Sequence, residues 1–296
     1  MTRPLRPPVA RRVHAALASL AAVAALSGCS SGTASSAGPP SSPGGPTSNS
    51  PSTPPAATSP PAPKPAPPAG ACRRLTYSAI SHYSNADPTV PCKSPHTAYT
   101  FAVRRLPPQV DVTGVSIGNK SVQSAASQGC RDAYSRFIGG DPATRALARL
   151  SVTYFLPAQV EFDRGAHWVR CDVVALATAR SLADLPDGLS GFLDSPTALQ
   201  RYGVCSAGPP GEPSSVLLIC TEQHTYRALT ALRLGTDSAR YPGEGVVRTN
   251  GQQRCSAYIA ARLGPAGGYT FGWTYPTAAD WALGQRFGYC WQKTGN

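Results

Sequence analysis

Eight cysteines between residues 72 and 290 fall into two sets of four: Cys72, Cys92, Cys130 and Cys171, then Cys205, Cys220, Cys255 and Cys290. The residues around them repeat. Cys92-Lys93-Ser94-Pro95-His96-Thr97 matches Cys220-Thr221-Glu222-Gln223-His224-Thr225, with histidine four positions after cysteine and threonine next. Cys130 is followed by Arg131-Asp132-Ala133-Tyr134, and Cys255 by Ser256-Ala257-Tyr258, one residue shorter. Pro157 and Pro276 each lie 14 residues before the last cysteine of their set. Within those windows Phe162 aligns with Trp281, Gly165 with Gly284 and Trp168 with Phe287. Matches in one order and at similar spacing are the mark of an internal repeat. They predict two homologous modules, residues 72–175 and 202–296, joined by a linker over 176–201.

Each module reads as α+β: a short, mostly antiparallel sheet packed by a helix and stapled by disulfides. Residues 98–104 and 227–233 are candidate strands, with imperfect alternation. Val122, Ala126, Cys130, Tyr134 and Phe137 stand at helical spacing and predict a helix over 122–138. The matching helix of the second module is expected at about 251–263. Asp141-Pro142 offers an N-cap and a proline at N1 for a short helix over 143–150. Residues 151–156 and 270–275 are rich in β-branched and aromatic side chains and read as strands, each stopped by a proline. A helical turn follows at 157–163 and 277–283, the second with a Thr277/Asp280 capping box. Gly165 and Gly284 then break it, and closing strands at 167–174 and 286–291 carry the fourth cysteine of each set.

In an exported chain, eight cysteines are most simply four disulfides. Four cysteines per module allow three pairings, and spacing alone does not choose. Cys72–Cys92 with Cys130–Cys171, and Cys205–Cys220 with Cys255–Cys290, are favoured, because a helix cysteine facing the closing strand ties helix to sheet. Zinc is the competing reading, since Cys92 with His96 and Cys220 with His224 are acceptable ligand types. No CxxC or HxxxH pair accompanies them, so neither metal nor cofactor is expected. His96 and His224 read as structural donors near a strand start, with ligand contact as the alternative. Trp273 and Trp281 read as core or sheet-face residues, the alternative being a binding face on the glycine-bearing run 269–275.

No catalytic residue is assigned. The folded part holds no SxxK motif. Its acids form no pair that recurs in both modules. The recurring positions are Cys, His, Pro, Gly and aromatics, which build folds.

The segment before Cys72 is of a different kind. Arg3, Arg6, Arg11 and Arg12 precede a twelve-residue, mostly apolar run over 15–26. That run is too short to span a bilayer, which needs about 20 residues, and it has the layout of a secretory signal. It ends in Leu26-Ser27-Gly28-Cys29, which resembles a bacterial lipobox. That resemblance implies cleavage after Gly28, lipidation of Cys29 and attachment to the outer face of the cell membrane. The ninth cysteine is thereby accounted for. Residues 30–71 hold 13 prolines and one charge, Lys64, with no aromatic or large aliphatic side chain. Such a stretch cannot bury enough apolar surface to offset chain entropy. Residues 29–71 therefore read as a disordered Pro/Ser/Thr-rich stalk, of a composition that also suits O-glycosylation.

The formal net charge of +12 falls to +8 once the four signal arginines are removed. At an outer membrane face such a protein is drawn to anionic phospholipid and cell-wall polymers. Nucleic acid is not an expected partner in that compartment.

The order Cys, then Cys-x-x-Pro-His, then a helix cysteine, then proline followed by an aromatic, glycine and a final cysteine resembles the septum formation-related domain. Cys92 to His96 carry the best match; Pro157, Phe162, Gly165 and Cys171 follow, as do Pro276, Trp281, Gly284 and Cys290. The second copy departs from the pattern at Glu222-Gln223, and the acid that often follows the histidine is missing from both. The resemblance implies an actinobacterial surface or membrane-attached protein with two tandem copies of the domain. Its expected role is binding or scaffolding an envelope protein or cell-wall polymer, without catalysis, in growth or septum formation. An extracytoplasmic enzyme acting on wall polymer is the alternative.

Overall fold

The computed structural model describes residues 61–264 and 271–294. The expected signal (1–28), the lipidation site Cys29 and the stalk through residue 60 lie outside the described residues. So does part of the run 269–275.

Two antiparallel sheets follow one another along the chain. The first contains β1 (Cys72–Arg73), β2 (Ala98–Arg105), β3 (Leu150–Phe155) and β4 (Trp168–Leu176), in the order β1-β2-β4-β3, with β5 (Leu182–Ala183) on the end of β4. The second contains β6 (Val204–Ser206), β7 (Leu217–Ile219), β8 (Tyr226–Arg233), β9 (Phe271–Thr274) and β10 (Phe287–Lys293), in the order β7-β6-β8-β10-β9. Among the described residues six α-helices accompany them: α1 (Lys120–Phe137), α2 (Pro142–Ala146), α3 (Gln159–Asp163), α4 (Ala198–Tyr202), α5 (Glu244–Leu263) and α6 (Ala278–Ala282).

The registers of the two sheets match position for position. Between β2 and β4, Thr100 faces Asp172 and Ala102 faces Cys171, so that Phe101 is bulged out. Between β8 and β10, Ala228 faces Trp291 and Thr230 faces Cys290, bulging out Leu229. On the other side Cys171 faces Tyr154 and Cys290 faces Trp273. The bulge falls beside the cystine each time. Cys130 of α1 is bonded to Cys171 and Cys255 of α5 to Cys290, with Cα separations of 5.4 and 5.5 Å. Cys72–Cys92 and Cys205–Cys220 hold the first strand of each sheet to the loop that follows it. These are the four expected pairs. Gly165 and Gly284 have φ of 96° and 92°, where a side chain is strained, and turn the chain out of α3 and α6 into β4 and β10.

Local chemistry explains the helices. Asn119 caps α1 by accepting from the Ser121 amide, and its Val122–Ala126–Cys130–Ala133 stripe is buried. Asp141 caps α2 by accepting from the Thr144 amide. This helix stops at Ala146, short of the expected 143–150, because Leu150 already belongs to β3. Thr277 and Asp280 complete the capping box of α6. The largest difference is α5, which begins at Glu244 rather than near 251. Its buried stripe is Val247, Cys255 and Ile259, and Gly251 stands in the same line. A Cβ on Gly251 would lie 2.0 Å from Trp273, so the indole occupies the space that an apolar side chain would have marked in the sequence.

Residues 176–201, expected as a linker, are part of the core. Leu185, Leu189 and Leu193 are buried with Ile138, Val173 and Tyr202 in one cluster. Pro186, Gly188, Gly191 and Pro196 interrupt regular structure there, yet irregular chain still buries leucines. The two sheets are joined by backbone bonds: Arg149 N–H to the Tyr202 carbonyl, Val204 N–H to that of Leu147, and Ile219 N–H to that of Ala177, at 2.7–3.0 Å. The end of the expected stalk is also fixed. Lys64 N–H donates to Glu161 Oε2 at 2.7 Å. Gly70 N–H donates to the Thr100 carbonyl, and Thr100 N–H to that of Ala71, each at 2.8 Å. Composition argues only from side-chain burial and does not register docking through backbone amides.

The face of the first sheet turned away from α1 holds a buried ionic set. Arg170 and Asp172 are 2% and 0% exposed, with Nε 3.0 Å from Oδ2. Thr100 Oγ1 donates to Asp172 Oδ1, and Arg73 Nη1–H donates to Thr100 Oγ1, both at 2.7 Å. Burial pushes the Asp172 carboxyl up and the Arg170 guanidinium down, while their pairing opposes both shifts. Removing one partner strands the other charge. Asp172→Ala is expected to cost about 3–5 kcal/mol in urea unfolding, and replacing Arg170 and Asp172 together by apolar residues to cost less than that single change. Equal losses would contradict the pairing. Gly251→Ala is expected to lower stability by about 1–3 kcal/mol through overpacking against Trp273, although alanine is the better helix former by about 1 kcal/mol. A gain in melting temperature would contradict that placement of the indole.

Candidate functional site

The residues singled out from the sequence hold the fold and do not converge. His96 is 2% exposed, and its Nδ1–H donates to the Ser94 carbonyl at 2.9 Å. His224 makes the same bond to the Glu222 carbonyl at 2.8 Å. Each histidine closes the turn that leads into β2 or β8, so the geometry survives the change from Ser94-Pro95 to Glu222-Gln223. Trp281 is 4% exposed. Its indole N–H donates to the Ala239 carbonyl at 2.7 Å, and the Arg286 guanidinium lies 4.4 Å from its ring. Trp273 is half-buried between Gly251 and Gly288 and donates to the Val247 carbonyl. Trp281 is closed off from solvent, whereas Trp273 remains partly exposed. Their N–H groups are satisfied by backbone because each ring fills the space between a helix or loop and the sheet. Among the described residues no group of three His, Cys, Asp or Glu side chains is placed to hold a metal ion.

The most site-like feature is a cleft of about 590 Å³ where the two sheets meet. Its size suits a small-molecule site. The floor is β8 and β10, contributing Arg227, Ala228, Leu229 and Gln292; one wall is α4 with Leu199 and Gln200; Arg262, near the end of α5, closes another side. Arg227 and Gln292 are direct cross-strand partners. Arg227 Nη2–H donates to the Leu199 carbonyl at 2.9 Å, which orients its guanidinium and leaves its remaining N–H groups for other acceptors. Arg262 is exposed, and its side chain makes no hydrogen bond or ion pair among the described residues. The described lining carries guanidinium, amide and aliphatic groups. It holds no carboxylate, imidazole, hydroxyl or thiol. Such a surface can bind a polar or anionic group, but it offers no group that takes up or releases a proton near neutral pH.

These residues escape a motif search because each is isolated in the sequence. Arg227, Arg262 and Gln292 come together only when β8, β10 and α5 pack. The signal that contains them is the internal repeat itself, aligned through its cysteines.

A family model described as Septum formation matches residues 69–290. It is one match that runs across both sheets, beginning just before Cys72 and ending on Cys290. No curated protein and no solved structure matches the chain. With both cystine-stapled sheets and the seam between them inside that single match, the chain belongs to the Septum formation family.

Proposed function

We propose that this chain is a lipid-anchored, non-enzymatic protein of the outer face of the cell membrane, in actinobacterial cells, which binds a cell-wall polymer or an envelope protein. The family relates it to septum formation. The observation that carries the binding reading is the lining of the cleft, which has donors for a ligand and no acid, base or nucleophile among its described residues. The buried charges support it as well. Asp172 and Arg170 are paired with each other and closed off from solvent, so they stabilise the fold and do not meet a substrate.

The anchor reading rests on Cys29 after the apolar run, and on four cystines, which form and persist in oxidising compartments. No helix among the described residues is long and apolar enough to cross a membrane. A lipid at Cys29 supplies attachment without one. The two sheets are read as copies of one ancestral module, now the halves of a single family domain; matched registers, bulges and cystines support this.

Three measurements test the reading. The parent protein is expected to partition into the detergent phase and Cys29→Ala into the aqueous phase; equal partitioning defeats the anchor. Crosslinking in growing cells followed by mass spectrometry is expected to recover a wall fragment or an envelope protein at the seam between the sheets. Turnover of wall polymer by the purified chain, lost on substituting its module acids or histidines, would overturn the non-enzymatic reading.

A further inference from the structure

The first half of the molecule shows what the cleft positions look like when they serve packing alone. The shared registers equate the cross-strand pair Tyr99–Val173 with Arg227–Gln292. Counted along the unbroken helices from the bonded cysteine, and not by the tyrosine match of the sequence repeat, Phe137 stands seven residues after Cys130 and Arg262 seven after Cys255. In the first half these positions are apolar and filled. The Tyr99 and Phe137 rings stack at 5.9 Å, Phe137 and Phe101 at 5.2 Å, and Val173 is fully buried. The chain from Leu185 to Leu193 packs over that cluster. In the second half the same positions are arginine, arginine and glutamine, with Leu229 at the place of Phe101, and they surround an open cleft.

The exchange weakens the fold. It removes two aromatic rings and a buried valine from the surface they packed, and it places two like charges on one small cavity. Arg227 is held in place by the Leu199 carbonyl, and the Arg262 side chain has no partner among the described residues. No carboxylate in the described lining offsets either charge.

We propose that this cleft is a binding seat for an oxyanion, a carboxylate or a phosphate, carried on a peptide- or sugar-sized body. Arg227 and Arg262 hold the anionic oxygens through charge-assisted hydrogen bonds. The Gln200 and Gln292 amides bond the polar groups of the body, and Leu199 and Leu229 lie against its apolar side. The seat draws on the second copy, on the segment between the copies and, through Leu147, on the first. This proposal rests on the binding reading above and names the ligand class for that site.

Calorimetric titration of the full-length chain in detergent at low salt tests it. The probes are tri-alanine with a free C-terminus, tri-alanine amide and glycerol 3-phosphate. At least one anionic probe is expected to bind, and the amide is not. Preference for tri-alanine points to a peptide carboxylate as the source, and preference for glycerol 3-phosphate to a phosphate ester. Arg227→Gln and Arg262→Gln are each expected to weaken binding about ten-fold or more. Arg104→Gln removes an equal charge from an exposed site elsewhere and is expected to leave the affinity unchanged. The triple change Arg227→Tyr, Arg262→Phe, Gln292→Val installs the first half's residues and is expected to abolish binding with the circular dichroism spectrum unchanged. If that variant fails to fold, the two single substitutions decide. Absence of binding by both anionic probes up to about 10 mM, or parental affinity in both arginine variants, overturns the seat. Crosslinking in cells that persists without probe binding defeats the oxyanion seat alone. Probe binding with no crosslinked partner defeats the envelope-binding reading alone.

Discussion

The cystine between a long helix and the central closing strand organises each half of this protein. Cys171 and Cys290 lie on strands flanked on both sides, so the bond joins the helix to the middle of a sheet and not to its edge. The neighbouring strand is bulged beside that cysteine in both halves, at Phe101 and at Leu229. Register, helix position and the direction of the inward side chains are then set together. A half of about a hundred residues has a modest core, and a cross-link over 41 or 35 residues contributes on the order of 3–4 kcal/mol in the entropic account.

On that common frame the two halves diverge where each sheet turns away from its helix. In the first, Asp172, Arg170 and Thr100 form a closed ionic set, and Leu75 and Ile80 from the loop between the first two cysteines pack alongside it with Phe155 and Val174. In the second, the equivalent positions are Trp291, Tyr289 and Ala228. Trp291 and Ala228 pack with Leu147 from the first half, and the Tyr289 hydroxyl donates to the Ala146 carbonyl. One half thus covers its own sheet, and the other is covered by its neighbour. The cleft lies along this seam.

The frame was largely legible in the sequence. Periodicity found α1, the prolines found the ends of β3 and β9, the repeat found the matching elements, and the expectation that a helix cysteine faces the closing strand favoured the cystine pairs. Features without a periodic or compositional signature were not legible. Gly251 hid the first two turns of α5, because the group filling its place in the buried stripe is Trp273, more than twenty residues away. Leu185, Leu189 and Leu193 were masked by the prolines and glycines between them, although burial needs no regular backbone. The docking of Lys64 and Gly70 uses backbone amides, which composition does not weigh. Of the cleft residues, Arg227 and Arg262 stood in a candidate strand and helix, but what sets them apart is a difference from the first half, whereas the repeat was read for its similarities.

The fixed segment from Lys64 to Ala71 decides how mechanical load enters the fold. Tension on the upstream chain first meets the Lys64–Glu161 bond, then the bonds among Gly70, Ala71 and Thr100 at the margin of the first sheet. Bonds at a sheet margin open one at a time when they are peeled. The next residue but one after Gly70 is Cys72, already joined to Cys92 twenty residues on. Peeling therefore stops at a covalent clasp after only a few backbone bonds. The first cystine thus takes up a pull arriving from upstream, in addition to being a staple for its sheet.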